Sequence, residues 1–128
     1  MIPDYVEATV AEFGRSAGLS ALAFNGRGAA ALRFANGFAL RFEYAMDALT
    51  VAMTVPCGEC DEATARSLLG YAKPPVRDGA PTIRSGFLSR CGEAIFAVAI
   101  QERDVTSPAI NAAFAVLWQI ATEFGGPR

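Results

Sequence analysis

The chain has 128 residues, with 11 basic and 13 acidic side chains, no histidine and a net charge of −2. That length suits one domain, expected to span residues 1–128, and is enough to bury a real core. Without histidine, the commonest general base, the Ser-His and Cys-His nucleophile pairs and most mononuclear metal sites are excluded. Lys and Arg are dispersed singly, which argues against a nucleic-acid partner. Hydrophobic residues make up 52% of the chain and mean hydropathy is +0.28, yet apolar runs stay far short of the ~20 residues that span a bilayer. The surplus reads as apolar surface reserved for a partner or a second copy. The opening Met1 to Glu7 lacks a basic region, so the chain is expected in the cytoplasm with its cysteines reduced.

In chain order, Pro3 to Ala17 reads as a helix, because Val6, Val10, Phe13 and Ala17 recur on one face and Gly18 is a natural stop. The period then falls to two. Leu22 and Phe24 precede an Asn25-Gly26-Arg27-Gly28 turn, and Leu32 and Phe34 precede Asn36-Gly37, a strong hairpin signal. Phe38, Leu40, Phe42 and Tyr44 alternate with Ala39, Arg41 and Glu43. A short turn leads to Leu49, Val51, Met53 and Val55. Asp61 can cap a second helix from Glu62 to about Ala72, with Ala65, Leu68, Leu69 and Ala72 on one face. Lys73 to Pro81 is a proline-rich loop. A weak strand from Ile83 to Cys91 and a strong one through Ala94, Phe96, Val98 and Ile100 follow. Ser107-Pro108 opens a last helix, with serine as N-cap and proline at N1, whose stripe is Ile110, Ala113, Phe114, Leu117, Ala121 and Phe124. The order α-β-β-β-β-α-β-β-α predicts an α+β domain, three helices against an antiparallel β-sheet.

Few residues carry chemistry. Cys57-Gly58-Glu59-Cys60 has CxxC spacing, but with Cys91 it offers three thiolates for a zinc site that needs four ligands, and the βαβ setting of a redox pair is missing. A chance pair in a turn accounts for it. Gly26-Arg27-Gly28-Ala29-Ala30-Ala31 imitates a dinucleotide fingerprint, yet Ala31 leads into a strand where that motif requires a helix. Asp61 and Glu62 are adjacent and diverge on a helix, and Glu102 and Asp104 read as a solvated strand end. No nucleophile has its base, so no enzyme, metal site or cofactor is expected. The small residues on the second faces of the strands (Ala23, Ala39, Ala52, Ala97, Ala99) predict that those faces are also partly covered.

The pattern resembles the CesT/SycE-type (Tir chaperone) family of type III secretion chaperones. The likeness runs through the first helix and Leu22 to Phe34, where Phe24-Asn25-Gly26-Arg27-Gly28 looks like the family's Phe-Asp-x-x-Gly turn with asparagine for aspartate. It continues through Phe38 to Tyr44, Leu49 to Val55 and the closing helix. The second helix has fewer large residues than the family's. The resemblance implies a cytoplasmic, virulence-associated bacterial homodimer, or half of a heterodimer. It would keep the N-terminal segment of a secreted effector soluble and export-competent, without catalysis and without membrane insertion. It implies effector docking on Val6, Val10, Phe13, Leu22, Phe24, Leu32 and Phe34, and dimer contacts at Leu68, Leu69, Tyr71, Phe87 and Leu88. The alternative is a small-ligand-binding or sensor domain whose aromatic meander lines a cavity.

Overall fold

Strict alternation of large and small residues decides the centre of the fold. Strands β3 (Ala48–Pro56) and β5 (Glu93–Gln101) pair antiparallel from Ala48↔Gln101 to Pro56↔Glu93. β2 (Ala39–Ala45) joins the other edge of β3, β1 (Ala29–Arg33) joins β2, and β4 (Ile83–Leu88) joins β5, giving the sheet order β1-β2-β3-β5-β4. The computed structural model describes residues 2–18, 22, 24–58, 61–71, 82–88 and 92–125. Because successive side chains on a strand point to opposite faces, this register collects Leu40, Phe42, Leu49, Val51, Met53, Val55, Phe96 and Val98 on one face, and all are buried.

All three helices cover that face. α1 (Asp4–Ser16) buries Val6, Val10 and Phe13, and α3 (Ser107–Phe124) buries Ile110, Ala113, Leu117, Ile120, Ala121 and Phe124. α2 (Glu62–Tyr71) lies at the β4 end, where Tyr71 stacks edge-on against Phe96 at 5.5 Å and the Ser85 hydroxyl donates to the Leu68 carbonyl at 2.5 Å. Burying a ring such as Phe42 or Phe96 contributes about 1.5–3 kcal/mol, so this layer carries most of the drive to fold.

The turns are built as their residue types predict. The Asn25 carboxamide oxygen accepts from the Arg27 and Ala29 amides, and Gly28 sits at φ +75, where a side chain would be strained. The Asn36 oxygen accepts from Phe38 N–H at 3.0 Å. Between β2 and β3, Met46 and Asp47 both have positive φ, the pair a tight primed turn demands.

Four expectations need revising or restricting. Of the four strands expected before α2, those from Ala29 onward are present; the stretch around Leu22 and Phe24 is described at those two residues, and neither lies in a strand. The cap of α3 is Thr106 rather than Ser107: its backbone is extended and its hydroxyl accepts from Ala109 N–H at 3.2 Å, so Ser107 is already helical. Leu69 does not share the buried face of Leu68; one residue further round the helix it is 73% exposed. The predicted loop from Lys73 to Pro81 lies outside the described residues.

A polar clasp holds the end of β5. The Glu102 amide donates to the Asp47 carbonyl at 2.9 Å, the Tyr5 hydroxyl donates to the Glu102 carbonyl at 2.8 Å, and the Tyr44 hydroxyl donates to the Glu102 carboxylate. That last bond, with burial and the charges of Glu102 and Asp47 adding to it, pushes the Tyr44 pKa from 10.0 up to about 12. The fold therefore holds this proton more tightly than the unfolded chain does. Its contribution to stability is complete below pH 10 and disappears as pH rises toward 12. Thermal melts across that alkaline range should show Tyr44→Phe losing less stability with rising pH than the native chain. Equal slopes would mean that the phenol is not tied to Glu102. At α3, Thr106→Ala should cost about 1 kcal/mol in chemical denaturation, the usual worth of an N-cap.

Candidate partner-binding surface

Helical spacing places Phe114 and Trp118 one turn apart on α3, facing Phe34 and Phe38 of the β1–β2 turn. Their rings join a chain of aromatic contacts that starts in the core. Phe42 meets Phe13 at 5.9 Å, Phe13 meets Phe114 at 5.5 Å, and Trp118 meets Phe34 at 5.3 Å and Phe38 at 5.5 Å. Most of these pairs are edge-on, the arrangement the ring quadrupoles favour. The inner members Phe13, Phe38 and Phe42 are buried, whereas Phe34, Phe114 and Trp118 are half-buried, so the chain of rings opens at the surface. Leu32 and Phe24, also half-buried, pack on the same core nearby.

β1 borders this opening and, among the described residues, pairs with β2 alone. The result is an edge strand beside half-open aromatic and aliphatic side chains, which can take an extended peptide as an added strand with alternate side chains in the apolar openings. Beside it Arg33 reaches across the sheet from β1 to Glu93 on β5, at 3.3 Å, and donates to the Gly37 carbonyl at 2.8 Å.

The seven expected docking residues divide. Val6, Val10, Phe13 and Leu22 are at most 5% exposed, so they support the surface from beneath and present almost no area of their own. Phe24, Leu32 and Phe34 are half-exposed at the rim. Phe114 and Trp118 carry the surface as much as Phe34 does. In the sequence they stand in or beside a helical core stripe, and only the ends of that stripe's neighbours in space decide which ring is left open. Of the expected dimer residues, Leu68 is buried, Tyr71 packs on Phe96 and Phe124, Phe87 and Leu88 are half-exposed on β4, and Leu69 is exposed.

No group of three metal-binding side chains occurs among the described residues, and Cys57 packs against the core while Cys60 and Cys91 lie outside them. A concavity of about 650 Å³ between β4, β5 and the start of α3 is lined by Thr82, Arg84, Val98, Ala109 and Ala112 among others, with no aromatic ring. The aromatic meander instead packs ring on ring, as a core does. No helix among the described residues is long and apolar enough to cross a membrane.

No protein-family model matches the chain, and no curated protein sequence does. Solved structures do match. A chain of the HopA1-SchA chaperone–effector complex superposes with a TM-score of 0.71 at 20% identity, over 94% of this chain and 93% of that one. A chain of the ExsC-ExsE complex gives 0.77 at 19% identity, over 98% and 95%. The structure of the Yersinia pestis type III secretion chaperone SycH with a stable fragment of YscM2 gives 0.68 at 13% identity, over 93% and 98%. The chain has a type III secretion chaperone fold. The match spans nearly the whole of each chain, so the three helices and five strands form one shared unit rather than a local motif.

Replacing Trp118 by Ala in this fold removes the ring that touches Phe34, Phe38 and Phe114. It should lower unfolding free energy by about 2 kcal/mol, less than for a fully buried tryptophan because the ring is half-exposed. Phe34→Ser should lower it by less, and denaturant titration of both variants checks the ranking.

Proposed function

We propose that this chain is a type III secretion chaperone that binds the N-terminal chaperone-binding segment of a secreted effector and keeps it export-competent without catalysis. The observation that carries the reading is the half-open aromatic group of Phe34, Phe114 and Trp118 beside the edge strand β1. The kinship of fold with a chain of a chaperone–effector complex and with the chaperone SycH supports it. Recognition would be physical: main-chain hydrogen bonds along β1, and apolar side chains of the segment set against the rings. Ordering an unstructured segment costs free energy, so affinity would come from a long contact rather than a deep pocket. The protein would act in the bacterial cytoplasm as a pair of copies, in the manner of the CesT/SycE-type proteins it resembles.

The test is co-expression with N-terminal fragments of secreted proteins encoded nearby, followed by co-purification and limited proteolysis. Trp118 is the one tryptophan of the chain and lies in the surface, so its fluorescence should shift on binding. Phe34→Asp should weaken binding at least about tenfold, the effect of losing one strong contact residue, with the circular dichroism unchanged. Capture unaffected by Phe34→Asp, or no protected fragment from any candidate, would count against the reading.

A further inference from the structure

Every second residue of β1 bonds to β2. The Tyr44 amide donates to the Gly28 carbonyl at 2.8 Å and the Phe34 amide to the Phe38 carbonyl at 2.7 Å, so Ala30 and Leu32 between them also turn toward β2. Ala29, Ala31 and Arg33 turn their backbone groups to the open edge. At Ala29 that edge is already closed. The Asn25 carboxamide oxygen accepts from its amide at 3.2 Å, and the Asn25 amide donates to its carbonyl at 2.7 Å. Among the described residues, Ala31 and Arg33 are left to pair with an incoming strand. Their side chains lie on the sheet face away from the core, in register with Arg41 and Ala39 of β2. Leu32 between them lies on the core face with Leu40.

We propose that this edge selects a segment with the local pattern acidic–apolar–acidic, its two carboxylates taken by Arg33 and Arg41. The inference rests on the proposed function and names the chemistry of the segment that β1 would bind. In an antiparallel addition, the residues opposite Ala31 and Arg33 set their side chains beside those two, and the residue between them meets Leu32 on the apolar side. Opposite Arg33, a carboxylate reaches a guanidinium that is 59% exposed. Both of its contacts within the chain, to the Gly37 carbonyl and to Glu93, are made by Nη1, and a guanidinium carries five donors. Opposite Ala31, the small methyl group lets a longer acidic side chain pass over β1 toward Arg41, roughly 9.6 Å away across two strand spacings. Arg41 is 41% exposed, and its one ion pair among the described residues, with Glu43 at 3.8 Å, is too long for a hydrogen bond. A concavity of about 390 Å³ gives the carboxylates room: Arg33 and Arg41 line it together with Ala31, Ala39 and Thr54. The acids of the chain itself leave both positions open. Glu93 is 11% exposed and already faces Arg33, and Glu43 stands across from Ala29, where Asn25 ends the open edge. A lysine at either position of the segment would meet like charge instead.

Blocked peptides of sequence Gly-Ser-Val-Xaa-Val-Xaa-Val-Ser-Gly, with Xaa glutamate, glutamine or lysine, test it on the full chain. The fluorescence of Trp118 reads the titration, and circular dichroism checks the fold of each variant. The glutamate peptide should bind about tenfold more tightly than the lysine peptide, because two cross-strand charge pairs turn from attraction to repulsion, with glutamine between. Arg41→Glu should remove most of that preference, and Arg33→Gln should lower it. Arg33→Gln also takes the arginine from buried Glu93, so Arg41→Glu, at a half-exposed side chain, is the variant that decides. The inference is overturned if the three peptides bind alike, if the lysine peptide binds best, or if none binds. It is equally overturned if the preference survives Arg41→Glu unchanged. Effector capture on co-expression is scored separately. Equal binding of the three peptides by a chain that captures its effector segment defeats the acidic pattern alone. A chain that prefers the glutamate peptide yet captures no effector segment defeats the chaperone reading alone.

Discussion

The pairing of β3 with β5 is the contact on which everything else rests. Nine residues on each strand run in register, and period-two alternation puts Leu49, Val51, Met53 and Val55 on the same side as Phe96, Val98 and Ile100. A shift of one residue would turn that whole set to the other face, and the three helices would lose the floor they stand on. The strands meet only after α2 and the segment that follows it, so the register closes a long loop and is secured by burial rather than by a local turn.

One-sided helix packing has two consequences. On the covered side, the aromatic residues form a continuous chain from Phe42 in the sheet to Trp118 on α3. Its outer members stay half-open because α3 packs on β3 and β5 and leaves β1 at the margin. On the other side the strands carry mostly small residues, and Arg33 lies along them as far as Glu93. The two surfaces differ in kind. The first offers hydrogen-bonding backbone and ring edges suited to an extended segment, and the second carries small residues with charges of both signs.

The clasp around Glu102 ties these features to one frame. It links the first turn of α1 through Tyr5, β2 through Tyr44 and the β2–β3 turn through Asp47. It also fixes where the chain leaves β5 for α3, which Thr106 then caps. The start of α3, the helix that carries Phe114 and Trp118 over the sheet, is therefore held by the clasp and its cap.

Most of the element plan could be read from the sequence, because it depends on local chemistry. Alternation marked β2, β3 and β5, the stripe from Ile110 to Phe124 marked α3, and Asn25 and Asn36 marked the turns. The division of labour within the apolar set could not. Val6, Val10 and Phe13 look like docking residues as readily as core residues until α3 is laid over them, and Leu69 looks buried until α2 is given its rotation against β4. Phe114 and Trp118 belong to or beside a core stripe, and became surface only because the β1 margin stops short of covering them. The sequence by itself determined the period of each element, its caps and its turns, since these are set by neighbours a few residues apart. Which apolar side chains remain open to a partner was decided by the tertiary structure alone, because exposure depends on what lies across the fold.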